Sequence, residues 1–339
     1  MSSPVHNPAK DPIWLAHRYD EQADLIHFLR VERDEHRSVP FLTDEYLPGR
    51  QVRSMPRAEA LHHLPPAAPV HFIFHSAFCC STLLVRALDV PGHAMGLSEP
   101  VLLNDIIGWR HRTKPDGRRV AGLIDQSLNL LGRPFGPGEA VVLKPSNLLN
   151  PLAPAMIALR PQARALLLHA PLETHLGSIA RKGMWGRLWG RDLLSKFLRE
   201  GGVIEFGLSI EDLLRLTDLQ AAALGWLAQH RLFTDLARRF PDRVSTLNSD
   251  ILMRDPRTAI SALSSQMGLG LETQIDMIVN GPAFTRHSKS GGSFDAGSRD
   301  AERAHGLEVH AEEIGMVAKW AAELARVHGI EMDLPRPLF

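Results

Sequence analysis

Cysteine is almost absent: the 339 residues include only Cys79 and Cys80, side by side. Adjacent cysteines bridge only with strain, and two thiols cannot complete a four-ligand zinc site, so neither a disulfide framework nor structural zinc is expected. Net charge is missing too. Basic and acidic residues number 38 each, so no overall field draws the chain to nucleic acid or to an acidic membrane. No run approaches the roughly 18 apolar residues that span a bilayer, and no apolar signal region opens the chain. With so little cysteine, this composition reads as a protein of the reducing cytoplasm. The 17 histidines are scattered. Pairs such as His62-His63 have no Cys or carboxylate at ligand spacing, and a surface role suits them better than a metal. Internal repeats are absent.

Hydrophobic residues, by contrast, make up 44% of the chain, enough for a sizeable core. Residues 1–65 read as an N-terminal helical extension, because the apolar positions Ile13, Leu15, Ala16, Ala23, Leu25, Ile26, Phe28 and Leu29 fit broken amphipathic helices. The proline-rich run LHHLPPAAP at 61–69 then enforces an extended approach. From residue 66 to 339 short buried-strand patterns alternate with helical ones. VHFIF (70–74), AVVL (140–143), RALLLH (164–169) and RVSTL (243–247) are the strands. A long helical stretch covers 210–240 and a last helix 311–327. This order predicts an α/β fold, a three-layer sandwich with a central parallel sheet.

Between the first of those strands and the next helix lies a turn of small residues, FHSAFCCSTLL at 74–84. A strand, a tight turn and a helix let backbone N–H groups converge on an anion, with Ser81 and Thr82 placed to donate as well. An ordinary β-to-α turn with a hydroxyl cap has the same appearance. The nucleotide-triphosphatase pattern G-x-x-x-x-G-K-[ST] is not met, since both glycines and the lysine are missing.

The turn resembles that of the PAPS-dependent sulfotransferases, [KR]-S-G-[ST]-[ST]-L-L between strand and helix. Cys79 matches the serine, Ser81 and Thr82 the hydroxyl pair, and Leu83-Leu84 the apolar pair. Phe78 stands where the family has its cation and Cys80 where it has glycine. The resemblance implies a P-loop-like cofactor site over Ser76, Ala77, Phe78, Cys79, Cys80, Ser81 and Thr82. It continues through LSEP (97–100), where Glu99 matches a glutamate that acts as general base on an acceptor hydroxyl; a surface glutamate that caps or bridges a loop is the other reading. In PQARALLLHAPLETHLGSIAR (161–181), His169 takes the place of an arginine, and Ser178 falls one position beyond a serine, that hold the nucleotide 3′-phosphate. A neutral imidazole offers one donor where arginine offers five. In RHSKSGG (286–292), Arg286, Ser288 and Lys289 match the residue types of a loop that folds over that phosphate; a solvated linker reads the same way.

Two further features stand outside the resemblance. Lys144 ends the strand AVVL-K, and strand carboxyl ends line the ligand crevice of an open parallel sheet, so this lysine can replace the cation missing at Phe78. It can equally reach solvent. In RKGMWGRLWGR (181–191), basic residues alternate with Trp185 and Trp189, as for stacking on a base or for a helix that buries its tryptophans. The resemblance thus implies sulfuryl transfer from PAPS to a hydroxyl or amine of a small molecule, without a metal. A diverged nucleotide-binding protein and an ATP-dependent phosphotransferase are the alternatives.

Overall fold

The computed structural model describes residues 7–62, 64–285 and 309–339. Its centre is a five-stranded, all-parallel sheet in the order β5-β6-β4-β7-β8, formed by β4 (Val70–His75), β5 (Ala94–Ser98), β6 (Ala140–Lys144), β7 (Ala165–His169) and β8 (Val244–Asn248). Every residue of β4, β6 and β7 is buried. That is the property of a sheet covered on both faces, where strands read as unbroken apolar runs.

Alternation along each strand divides the core. Phe72 and Phe74, Val141 and Leu143, and Ala165 and Leu167 face the helices Val101–Thr113, Gly117–Leu131 and Ala153–Leu159. Ile73, Val142, Leu166 and Leu168 face the helices Ser81–Ala87 and Pro256–Met267. The expected three-layer α/β arrangement is therefore observed. A separate cluster joins the helices Leu172–Arg181, Gly183–Arg199, Asp218–Arg239 and Ala311–Val327. Among the described residues no helix is long and apolar enough to cross a membrane.

The helical extension expected over residues 1–65 is corrected. Residues 14–30 form a hairpin of β1 (Trp14–Asp20) and β2 (Leu25–Arg30), which β3 (Val52–Pro56) extends into a three-stranded antiparallel sheet. The apolar positions that suit a helix also fit a period of two, with Ile26 and Phe28 buried and Leu25 and His27 half-exposed. What decides between the periods is the turn. The Asp20 carboxylate accepts from the Gln22 and Ala23 amides at 2.9 and 3.1 Å, and Asp24 takes a left-handed φ of 53°. Helices in this region are short, Arg33–Ser38 and Arg57–Leu61. Burying Trp14, Phe28 and Ile26 contributes about 1.5–3 kcal/mol each.

Arg33 fastens this unit to the sheet domain. Its guanidinium donates to Asp89 at 2.9 Å, to Glu139 at 2.6 Å and to the Ala94 carbonyl at 2.7 Å. Burial pushes the Asp89 carboxyl above its ordinary range in spite of this partner.

Candidate active site

The carboxyl ends of β4, β5 and β6 come together at the point where strand order reverses, because the chain leaves the central β4 for the edge strand β5. His75, Glu99 and Lys144 stand at those three ends. Register explains the last pair. Ser98 is opposite Lys144, and the Glu99 amide continues the ladder to the Lys144 carbonyl at 2.7 Å. The fully buried Lys144 ammonium bonds to Glu99 Oε1 and stands 5.0 Å from the centre of the Phe41 ring. Glu99 keeps 19% side-chain exposure and a left-handed φ of 49°.

After β4 the turn is unusually contorted. Ala77, Phe78 and Cys80 have φ of 69°, 51° and 65°. An L side chain in this region costs on the order of 1 kcal/mol, and glycine avoids the cost. Cys80→Gly is therefore expected to raise stability in urea unfolding by up to about 1 kcal/mol, and Cys80→Val to lower it. The opposite order would mean that this position does not need a left-handed residue.

What holds the turn is a set of bonds below it. The Ser76 amide donates to Leu168 at 3.1 Å, and the Ser76 hydroxyl accepts from the Ala170 amide at 3.2 Å, which ties β4 to β7. Ala77 N–H donates to His75 Nδ1 at 3.1 Å, so in a neutral ring the proton is on Nε2, 3.6 Å from Glu99 Oε1. Cys79 is fully buried in the core, and burial pushes its thiol up to about 12.

A cavity of about 290 Å³ opens above this turn. Ala77, Phe78, Ser81, Thr82 and Glu99 all line it, so one space receives five residues that sequence placed in the site. Ser76 and Cys79 lie beneath the turn, and Cys80 is half-buried against the core on its far side. Phe78 turns its ring toward the helix Gly183–Arg199, 5.0 Å from Trp189 and 5.7 Å from His175.

His169 and Ser178 are not among the lining residues. His169 is buried edge-on to His230 at 5.1 Å, and His230 in turn stacks on Trp226 at 3.4 Å. Burial holds the His169 imidazole down at about 4, so the ring is neutral at neutral pH. Ser178 is half-buried on the helix Leu172–Arg181. Arg286, Ser288 and Lys289 lie outside the described residues.

The structure adds His75, Phe41 and Asn147 to the cavity wall. The strand-end rule that singled out Lys144 applies equally to His75. Trp185 and Trp189 line the cavity too, which corrects the reading of a helix that buries both: Trp185 is 61% exposed. The arginines Arg187 and Arg191 are not simply solvated. Arg187 forks onto Glu313 at 2.8 and 3.0 Å, and Arg191 bonds to Asp218.

No family model matches the chain, and no curated protein matches its sequence. Among solved structures it is similar to a sulfotransferase domain from the curacin biosynthetic pathway. The two share 15% identity, covering 67% of this chain and 82% of that one at a TM-score of 0.44. It is also similar to a sulfotransferase from Mycobacterium avium, at 12% identity over 74% of this chain and 79% of that one, with a TM-score of 0.44. A third likeness is to the sulfotransferase domain of the Synechococcus PCC 7002 olefin synthase, at 12% identity, 70% and 84% coverage and a TM-score of 0.39.

Proposed function

We propose that this chain transfers a sulfuryl group from PAPS to a hydroxyl or amine of a small-molecule acceptor. The observation that carries this reading is the shared cavity, in which the hydroxyl residues of the turn, Ser81 and Thr82, face the same space as Glu99. In the proposed step the acceptor O–H gives its proton to the Glu99 carboxylate while its oxygen bonds to sulfur. The bond from sulfur to the 5′-phosphate oxygen breaks, and its electron pair stays on that oxygen. Lys144, already bonded to Glu99, supplies positive charge beside the reacting groups. Ser81 and Thr82 donate to the phosphosulfate. The assignment of the 3′-phosphate to Ser178, Arg286, Ser288 and Lys289 rests on the sequence.

Two observations favour a second reading, a nucleotide-binding protein without turnover. Phe78 packs its ring on Trp189 at the position where the resemblance requires a cation, and His169 is neutral.

Both readings require the nucleotide to bind. Adenosine 3′,5′-bisphosphate is expected to raise the melting temperature, because a ligand held only by the native state adds about 2.7 kcal/mol at a hundredfold excess over Kd. ATP with Mg²⁺ serves as the comparison. A rise with ATP-Mg²⁺ and none with the bisphosphate at millimolar concentration would sink both readings. Radiolabelled sulfuryl transfer to a panel of alcohols and amines then separates the first reading from the second.

A further inference from the structure

Among the described residues, the cavity wall is short of positive charge for the ligand proposed above, and this inference rests on that reading. Among the described residues that line it, the acids are Glu99 and Asp192 and the one cation is Lys196. Each acid already has an ammonium of its own: Lys144 bonds to Glu99, and Lys196 bonds to Asp192 at 2.5 Å. A bisphosphate or phosphosulfate brings several negative charges to a wall on which these charges cancel.

Lys182 stands next to that wall. It is exposed at the corner between the helices Leu172–Arg181 and Gly183–Arg199. Its ammonium lies 5.8 Å from the centre of the Phe78 ring and 5.2 Å from that of Trp185. Both of those rings line the cavity. The corner itself is fixed by glycine. Gly183 has a φ of 58°, and a Cβ on Gly186 would collide with the Ile179 carbonyl oxygen. Phe78 is fixed as well, between Trp189 and His175.

We infer that Lys182 supplies the charge that position 78 does not. Phe78, in place of a cation, becomes one of two aromatic faces that hold the Lys182 ammonium at the rim of the turn, since a ring face attracts a cation placed about 6 Å or less from its centre. From there the four-carbon stem lets the ammonium meet the anionic oxygens held at Ser81 and Thr82.

The test is titration calorimetry with adenosine 3′,5′-bisphosphate at two salt concentrations, on the full chain and on Lys182→Met. Melting temperatures without ligand establish that the variant folds. The variant is expected to bind about 10- to 100-fold more weakly, the size of one charge-assisted bond, and with a flatter salt dependence. A purely structural lysine would not move the salt dependence. Lys182→Arg is expected to bind within a few-fold of the parent, and Phe78→Lys added to Lys182→Met is expected to recover part of the loss. If the parent binds and Lys182→Met binds equally well with the same salt dependence, the inference is overturned and the proposed function stands. If the parent does not bind at all, the proposed function fails and takes the inference with it.

Discussion

Glu99→Gln is expected to lower the rate of sulfuryl transfer by roughly 100- to 10,000-fold, the usual worth of a positioned general base, while the affinity for adenosine 3′,5′-bisphosphate changes little. The amide has the carboxylate's shape and keeps an oxygen that can accept from Lys144, but it cannot take a proton at neutral pH. This matters because Lys144 is fully buried. Stripping an ion of its partner inside a protein costs about 3–5 kcal/mol, so Glu99→Ala would mix lost chemistry with lost stability. Glutamine keeps a hydrogen bond to Lys144 though not the countercharge, so it loses less stability than alanine. The measurement is single-turnover transfer with the melting temperature followed in parallel. Turnover within a few-fold of the parent would remove Glu99 from the role of base.

The second large effect is acid instability with a defined window. Burial holds His71, His169 and His175 at about 4 and His36 at about 3, and it pushes His230 well below its ordinary value. The unfolded chain binds a proton on each near pH 6.5, whereas the folded chain resists until pH 4 or lower. Between those limits the unfolded state carries more protons, so stability rises with pH. It is fully present above about pH 6.5 and falls away toward pH 4. A histidine held at about 4 contributes about 3 kcal/mol over that window. Three of them are comparable with the ~5–15 kcal/mol that holds an ordinary domain together.

Asp89 works in the opposite direction, because burial raises its pKa and acidification then favours the fold. Asp24 and Glu139, which are held low, lose their contribution only below the ordinary carboxylate range. Urea midpoints are therefore expected to drop steeply from pH 7 to pH 5, with a shallower slope in His175→Gln. Equal midpoints across that range would refute the account.

The sheet was legible because β4, β6 and β7 are short, mostly apolar runs and β8 carries the β-branched Val244 and Thr246. β5 was the exception: AMGLS at 94–98 contains a glycine and a serine, and what makes it a strand is pairing with β6 from Ala94–Ala140 to Ser98–Lys144. The N-terminal hairpin was misread for a related reason. A short apolar stretch can satisfy periods of two and of 3.6 together, and the choice fell to a turn built on Asp20 and Asp24. Within the site, Glu99 and Lys144 were singled out separately, one by resemblance and one by its place at a strand end. That they touch follows from strand register, which residue types alone do not encode. His75 closes an apolar strand and carries no motif, so only the geometry of the sheet exposes its position.

The contorted turn follows β4, the central strand, which pairs with β6 over Val70–Phe72 and with β7 over Phe72–His75. A left-handed backbone at a sheet's edge relaxes when that edge frays. Here β7, paired with residues 72–75 and bonded to the Ser76 amide, would have to separate first, and it comes from far later in the chain. Amide exchange at residues 72–75 should accordingly report the opening of the whole molecule and not a local breathing motion. The turn becomes a late product of folding, assembled only when strands remote in sequence have met, and once formed it lasts as long as the native state does.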